Sequence, residues 1–188
     1  MTIPKIACIV EGHGEVEALP VLVRRILSEE GLYADIRKPH RMTSAAMRTP
    51  QITDVAQIHA AITEPSGGLI IAMFDLDDDN ETSLRQDAEA HLTDYRHVVA
   101  VASREYEAWI LAGVHELGEN YGVAPDATPH PDPESPRNAK KAVEEYIQRS
   151  YKETVDQAKL SAVINLDTVG QRSNTFRRFR EDLVGALK

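Results

Sequence analysis

The sequence predicts an α/β domain: a central, mainly parallel sheet of about four strands flanked by helices, with a helical C-terminal part. Three observations predict it. Short runs of branched apolar residues alternate with segments of helical periodicity, which implies parallel strands joined by crossover helices and covered on both faces. Two of the apolar runs, "KIACIV" and "LIIAMF", stop directly on a carboxylate, Glu11 and Asp75. The last third of the chain carries helical patterns only.

Taken in order, "KIACIV" reads as a buried strand, short, branched and ended near a glycine. "EVEALPVLVRRILSEEG" reads as a helix with Leu19, Leu22, Val23, Ile26 and Leu27 on one face and Gly31 as its stop. Pro20 is early enough in it to be tolerated. Glu15 and Glu17 read as first-turn acids favoured by the helix dipole. "LYADIRK" alternates and predicts a second strand, and the polar stretch 39–50 predicts a loop. "ITDVAQIHAAIT" predicts a helix that buries Ile52, Val55, Ile58 and Ile62. "GGLIIAMFD" is the third strand. "TSLRQDAEAHLTDY" is a helix capped by Thr82 or Ser83. "RHVVAVAS" is the fourth strand and "REYEAWILAGVHELG" the helix after it, with Trp109, Ile110 and Leu111 as core.

Residues 118–137 contain five prolines and few large apolar groups, so they predict a mobile loop. "NAKKAVEEYIQRSY", "TVDQAKLSAVIN" and "SNTFRRFREDLVGALK" predict three closing helices. The expected organisation is an α/β core over 1–117, the proline-rich loop over 118–137 and C-terminal helices over 138–188, packed as one domain.

Composition narrows the function classes. A 42% apolar and 27% charged chain of 188 residues is ordinary for a globular protein large enough to bury a core. No basic segment leads into a long apolar run, and no stretch approaches the about 20 apolar residues of a membrane span. The expectation is a cytoplasmic protein without a membrane partner; a homo-oligomer is compatible with the sequence. The single cysteine, Cys8, lies inside the first apolar run and reads as a small core residue. The formal charge of -9 is uneven: residues 51–135 carry three basic against seventeen acidic groups, and residues 136–188 eleven against seven. A globally acidic chain is a poor generic nucleic-acid binder. An acidic centre with basic flanks suits a divalent cation with phosphate-binding margins, and the plain alternative is an acidic surface beside basic helix faces.

The carboxylates at strand ends are the candidate site, because sites in open α/β sheets form where strands end and helices begin. Glu11 ends the first strand. Asp75 and Asp77 end the third and, two apart in extended backbone, would point the same way. Glu105 and Glu107 follow the fourth. Hard oxygen donors from several segments suit Mg²⁺ or Mn²⁺, and their mutual repulsion is relieved by a cation. Asp78 and Asp79 read as solvated, and "DLDDDNE" lacks the spacing of a calcium loop.

"IVEGHGEVEALPVLVRRIL" followed by "LIIAMFDLDDD" resembles the Toprim domain shared by topoisomerases, DnaG-type primases and OLD-family nucleases. More closely, "EYEAWILAG" and "SNTFRRFREDL" resemble a bacterial Toprim-like family similar to the RloB-type and OLD-type nucleases. The resemblance covers most of the chain. It implies that Glu11 is a metal ligand or general acid/base, that Asp75 and Asp77 are metal ligands, and that Glu107, two before Trp109, holds a second metal. It further implies Mg²⁺- or Mn²⁺-dependent hydrolysis of a DNA or RNA phosphodiester, as an anti-phage effector working with an AAA- or ABC-type ATPase. The chain is too short for the gating domains of a topoisomerase, and a primase would need accessory domains. The competing expectation is a non-catalytic Toprim-fold subunit that docks on an ATPase or nucleic acid.

Further candidates contact phosphate. His13 lies between two glycines that would clear space for substrate. Arg104 either holds phosphate or forms an ion pair. Lys140, Lys141, Arg172, Arg177 and Arg178 are either substrate contacts or a solvated basic face. "GHGE" is no Walker loop, the histidines lack zinc spacing, and no G-x-S-x-G elbow occurs.

Overall fold

The computed structural model describes residues 2–188. Strand β1 (Lys5–Val10) forms the sheet's middle. On one side lie β4 (Leu69–Asp75) and then β5 (His97–Ala102). The other edge of β1 is shared by two short strands, β2 (Asp35–Ile36) and β3 (His40–Arg41). All pairings are parallel. The expected second strand is thus only two residues long, and the expected 39–50 loop holds β3 and a short helix, α2 (Ser44–Met47). Pro39 sits between the two edge pieces and has no N–H to offer a ladder.

Strand alternation sorts the core into two layers. Ile6, Cys8, Val10, Leu69, Ile71, Met73, Val98, Ala100 and Ala102 enter one cluster; Ala7, Ile9, Ile70, Ala72, Phe74, Val99 and Val101 enter the other. The first layer is roofed by α1 (Glu15–Glu29), α5 (Glu107–Gly113) and the C-terminal helices α6 (Ala139–Ile147), α7 (Glu153–Ser161), α8 (Leu166–Arg172) and α9 (Asn174–Leu187). The second is roofed by α2, α3 (Gln51–Thr63) and α4 (Glu81–Ala90). Trp109 anchors the first layer, stacked on Phe179 with centroids 5.4 Å apart and edge-on to Phe176 at 5.6 Å. Among the described residues no helix is long and apolar enough to cross a membrane.

Three expectations change. Helix α3 buries Ile52, Ala56, Ala60 and Thr63, while Ile58 stays 65% exposed and Ile62 37% exposed. Ile52 and the small alanine stripe face the sheet, and Ile58 and Ile62 point away. Helix α4 is capped by Asn80, whose side chain accepts from the Ser83 N–H at 3.0 Å, rather than by Thr82 or Ser83. Helix α8 was absent from the sequence pattern; it is a seven-residue helix capped by Asn165.

The proline-rich segment is tied down by one carboxylate. Glu134 Oε1 accepts from Ser173 Oγ at 2.7 Å, Thr175 N at 3.0 Å and Thr175 Oγ1 at 2.6 Å. Thr175 Oγ1 in turn accepts from the buried Trp109 Nε1 at 2.9 Å. The Glu134 carbonyl accepts from Ser103 Oγ at 3.1 Å, at the end of β5. Removing this acceptor strands the Ser173 and Thr175 hydroxyls and one first-turn N–H of α9, that of Thr175. Glu134→Ala is therefore expected to lower stability by about 1–3 kcal/mol in urea unfolding, and an unchanged midpoint would show the segment to be unanchored.

Candidate functional site

The alternation that builds the two layers also splits the carboxylates at the sheet's carboxyl edge. Asp75 follows Phe74 and therefore turns toward the α1/α5/α7 side; Glu11 follows Val10 and turns toward α2. Around Asp75 the protein gathers Glu15 and Glu107, both almost fully buried at 3% and 1% exposure. Glu15 opens α1. Its Oε2 reaches back to accept from Gly12 N at 2.5 Å, and its Oε1 accepts from Gln157 Nε2 at 3.2 Å. Glu107 opens α5, and its Oε1 accepts from the same Gln157 Nε2 at 3.2 Å. Asp75 Oδ1 accepts from Tyr106 N at 2.8 Å.

The electrostatics follow from burial and crowding. Asp75 is held well above the usual carboxylate range by desolvation and then by the charges of Glu15, Glu107 and Glu11. Burial also raises Glu15, against the donors Gln157 and Gly12. Glu11 and Glu107 are each pushed up to about 7, burial being the chief cause in both. Ser44 and Arg48 oppose the rise at Glu11, whereas Glu15 and Asp77 add to it. Lys140 opposes it at Glu107. Burial alone would lower the Lys140 amine, but Glu153, Glu107 and Glu105 hold it above its ordinary value. Lys140 Nζ donates to Glu153 Oε2 at 2.9 Å, and Glu153 Oε1 accepts from Gly14 N at 3.3 Å. An open cleft of about 360 Å³ lined by Lys140, Lys141, Tyr151 and Glu153 adjoins this cluster.

The two glycines of "GHGE" have distinct steric reasons. A Cβ at Gly12 would collide with the Glu15 carboxylate, and one at Gly14 with Glu153 and Gln157. Both glycines thus make room for side chains of the site itself. At the outer rim, Asp77 and Arg104 adopt left-handed φ values of 48° and 65°. Each supports the other: Asp77 N donates to the Arg104 carbonyl at 3.0 Å, and Arg104 Nη1 donates to the Asp77 carbonyl at 2.8 Å. Strained non-glycine backbone at such a junction persists only when the surroundings over-determine it.

The structure brings together Glu11, Asp75 and Glu107 of the expected residues, and adds Glu15, Glu153 and Gln157. Asp77 stands apart from the expectation. Its left-handed backbone ends the extended geometry, so strand alternation does not set its direction; it is exposed, and its charge still adds to the rise at Glu11. Glu15 is a first-turn acid of α1 as expected, and it is in addition a buried member of the cluster. Arg104 ion-pairs with Asp78, which also pairs with Arg137 at 3.3 Å. His13 is exposed close to Glu153. Arg177 lies elsewhere, beside a cavity lined also by Glu30 and Lys188, and donates to Asn174 Oδ1 at 2.6 Å.

The donor chemistry fits a hard divalent cation: Glu11 Oε1 and Glu107 Oε2 are buried and have no hydrogen-bond partner, as is Gln157 Oε1. Among the described residues, however, no group of three or more His, Cys, Asp or Glu side chains is arranged to hold a metal ion. Protein donors stand between the carboxylates instead, with Gln157 between Glu15 and Glu107.

Comparison with known proteins gives the chain a family. Residues 10–184 match the family described as Domain of unknown function (DUF4276), and the chain belongs to it. No curated protein matches. The C-terminal region of the Burkholderia pseudomallei OLD protein is similar over 99% of this chain and 100% of that one, at 12% identity and a TM-score of 0.45.

The raised carboxyls set a pH dependence. Glu11 and Glu107 deprotonate near their ordinary value of 4.5 when unfolded and near 7 when folded. Between those values the folded state holds more protons, so stability falls as pH rises through that window. With chelator present, the thermal midpoint is expected to drop by at least about 3 °C from pH 5 to 7.5, and Glu11→Gln should flatten the drop. A midpoint that climbs over this range in the wild-type protein would contradict the crowding.

Proposed function

We propose that this DUF4276 protein is a divalent-cation-dependent phosphodiesterase acting on nucleic acid. The observation that carries the reading is the crowded set of half-buried Glu11 and Asp75 with buried Glu15 and Glu107, four carboxyls whose charge Arg48 and Lys140 only partly oppose. Such a set is stable as charges only when a cation neutralises it. The Toprim resemblance of "CIVEGHGE" and "AMFDLDD" supports the same chemistry. Asp75, Glu15, Glu107 and Glu11 would hold Mg²⁺ or Mn²⁺, which supplies charge neutralisation of the phosphate and a more acidic water.

The chain's own groups do the rest. Hydrolysis joins a water oxygen to phosphorus, breaks the bond to one sugar oxygen and returns a proton to that oxygen. Glu11, with a carboxyl near neutrality and at the mouth of the sheet, is suited to take or give that proton. Lys140, kept charged by its carboxylate neighbours, and Arg41, which donates to the Glu11 carbonyl at 3.4 Å, are the cations beside the cluster that would meet phosphate oxygens. The net acidic chain then needs the local cations, or an ATPase partner, to bring a polyanion to the cluster.

The test uses single- and double-stranded DNA and RNA with Mg²⁺, Mn²⁺ or chelator, alone and with a neighbour-encoded AAA- or ABC-type ATPase. Cation-dependent cleavage is expected, with Glu11→Gln and Asp75→Asn each lowering kcat by about 100-fold or more. Cleavage unchanged in both variants would displace the site. Binding of nucleic acid or ATPase with no cleavage under any condition would make the protein a docking subunit.

A further inference from the structure

The sheet edge formed by β2 and β3 is basic, although the chain as a whole is acidic. Residues 36–53 hold Arg37, Lys38, Arg41 and Arg48 and no Asp or Glu. The fold lays the first three of these along β1. Asp35 and Ile36 pair with Lys5 and Ile6 at its start, and His40 and Arg41 pair with Ile9 and Val10 at its end. Segment 35–41 therefore follows the whole strand, about 17 Å at the usual rise per residue. Arg37, Lys38, His40 and Arg41 are exposed along it. The segment ends beside the carboxyl cluster, where Arg41 Nη1 donates to the Glu11 carbonyl.

Helix α1 supplies the other wall. Arg24 Nη2 donates to the Ile36 carbonyl at 3.5 Å, and Arg24 lines two neighbouring grooves. One runs past Arg37, Lys38 and Pro39, the other past Tyr33, which is 75% exposed. Negative charge is present but minor: Glu17 lines the first groove, and Asp35 is spent on Arg37 at 3.1 Å. Among the described residues no carboxylate lies within ion-pair distance of Arg24, Lys38 or Arg41. The strip thus offers spaced cations and one open aromatic ring, in a line that leads to Glu11.

We infer that this strip is the track of a single-stranded nucleic acid: Arg24, Lys38 and Arg41 hold its phosphates, Tyr33 stacks on a base, and the strand runs on toward Glu11. Cations spaced along a line match the repeating charge of a nucleic-acid backbone. An aromatic ring beside them selects a single strand, whose bases have free faces, over a duplex, whose bases are stacked on one another. A protein strand adding to this edge is the poorer occupant. Pro39 stands between β2 and β3 and breaks the run of N–H groups that such a strand would need. The inference rests on the nucleic-acid reading above, and it concerns binding alone.

The test measures fluorescence anisotropy of a labelled oligothymidylate of about 15 nucleotides with the full-length protein, in chelator, over a salt series. The variants are Arg24→Ala with Lys38→Ala, Tyr33→Ala, and Arg178→Ala beside β5 at the opposite edge; all four side chains are exposed, so the core is untouched. Removing Arg24 and Lys38 is expected to flatten the slope of log Kd against log salt by about 1.4, the share of two phosphate contacts on a single strand. Tyr33→Ala is expected to weaken binding about fivefold or more at unchanged slope, and Arg178→Ala to change neither. No binding by the wild type, an equal loss in Arg178→Ala, or tighter binding of a duplex or of a polyglutamate peptide each overturns the inference. Cleavage in Mg²⁺ with unchanged KM in the Arg24/Lys38 variant overturns it and leaves the proposed function standing. Binding that follows the strip in a protein that never cleaves does the reverse.

Discussion

Repulsion among carboxyls that the fold has removed from water is the constraint on which this structure turns. Burying one ionised carboxylate is expensive, and burying several together is sustained only by protons, donors or a cation. Here two of these compensations have a visible form. Protons are implied by the raised Glu11, Asp75 and Glu107 carboxyls. Donors are supplied by Gly12, Tyr106 and Gln157. One oxygen of Glu11 and one of Glu107 are buried without a hydrogen-bond donor.

The rest of the fold can be understood as the support for that crowd. The parallel sheet delivers Glu11 and Asp75 to one edge on neighbouring strands, since β1 and β4 pair in register from Ile6↔Leu69 to Ile9↔Ala72. Helices leaving that edge place Glu15 and Glu107 in their first turns, where backbone N–H groups and the helix dipole moderate negative charge. The C-terminal helices then close the cluster from above. They share one hydrophobic core with the sheet, built on Trp109, Phe176 and Phe179, so the part that shields the carboxyls is also a main source of stability.

Much of this was legible in the sequence where local pattern decides. The three long strands, helix α1 and the carboxylates at the ends of two apolar runs follow from periodicity and punctuation. What was illegible depended on distant partners. Glu15 has the sequence context of any first-turn acid, and its burial is decided by α7, some 140 residues away. The available signal was steric: Gly12 and Gly14 precede it because larger residues would strike Glu15 and Gln157. In α3 the isoleucines suggested a face, yet beyond Ile52 it is the alanines that are buried against the sheet, where small residues allow close approach. Asp77 lies two residues past the end of β4 with left-handed backbone, so the two-residue strand spacing does not set its direction, although its charge still acts on Glu11. Glu134, lost among prolines, gave no local sign of its contacts with Ser173 and Thr175.

The central claim is that protons stand in the cluster where a divalent cation would otherwise act. Calorimetric titration with Mn²⁺ at pH 6 and pH 8, in buffers of different ionisation enthalpy, counts the protons released on binding. The account predicts release of about one proton or more per cation at pH 6, shrinking toward zero at pH 8. Binding at pH 6 with no proton release, or no binding at either pH, would contradict it.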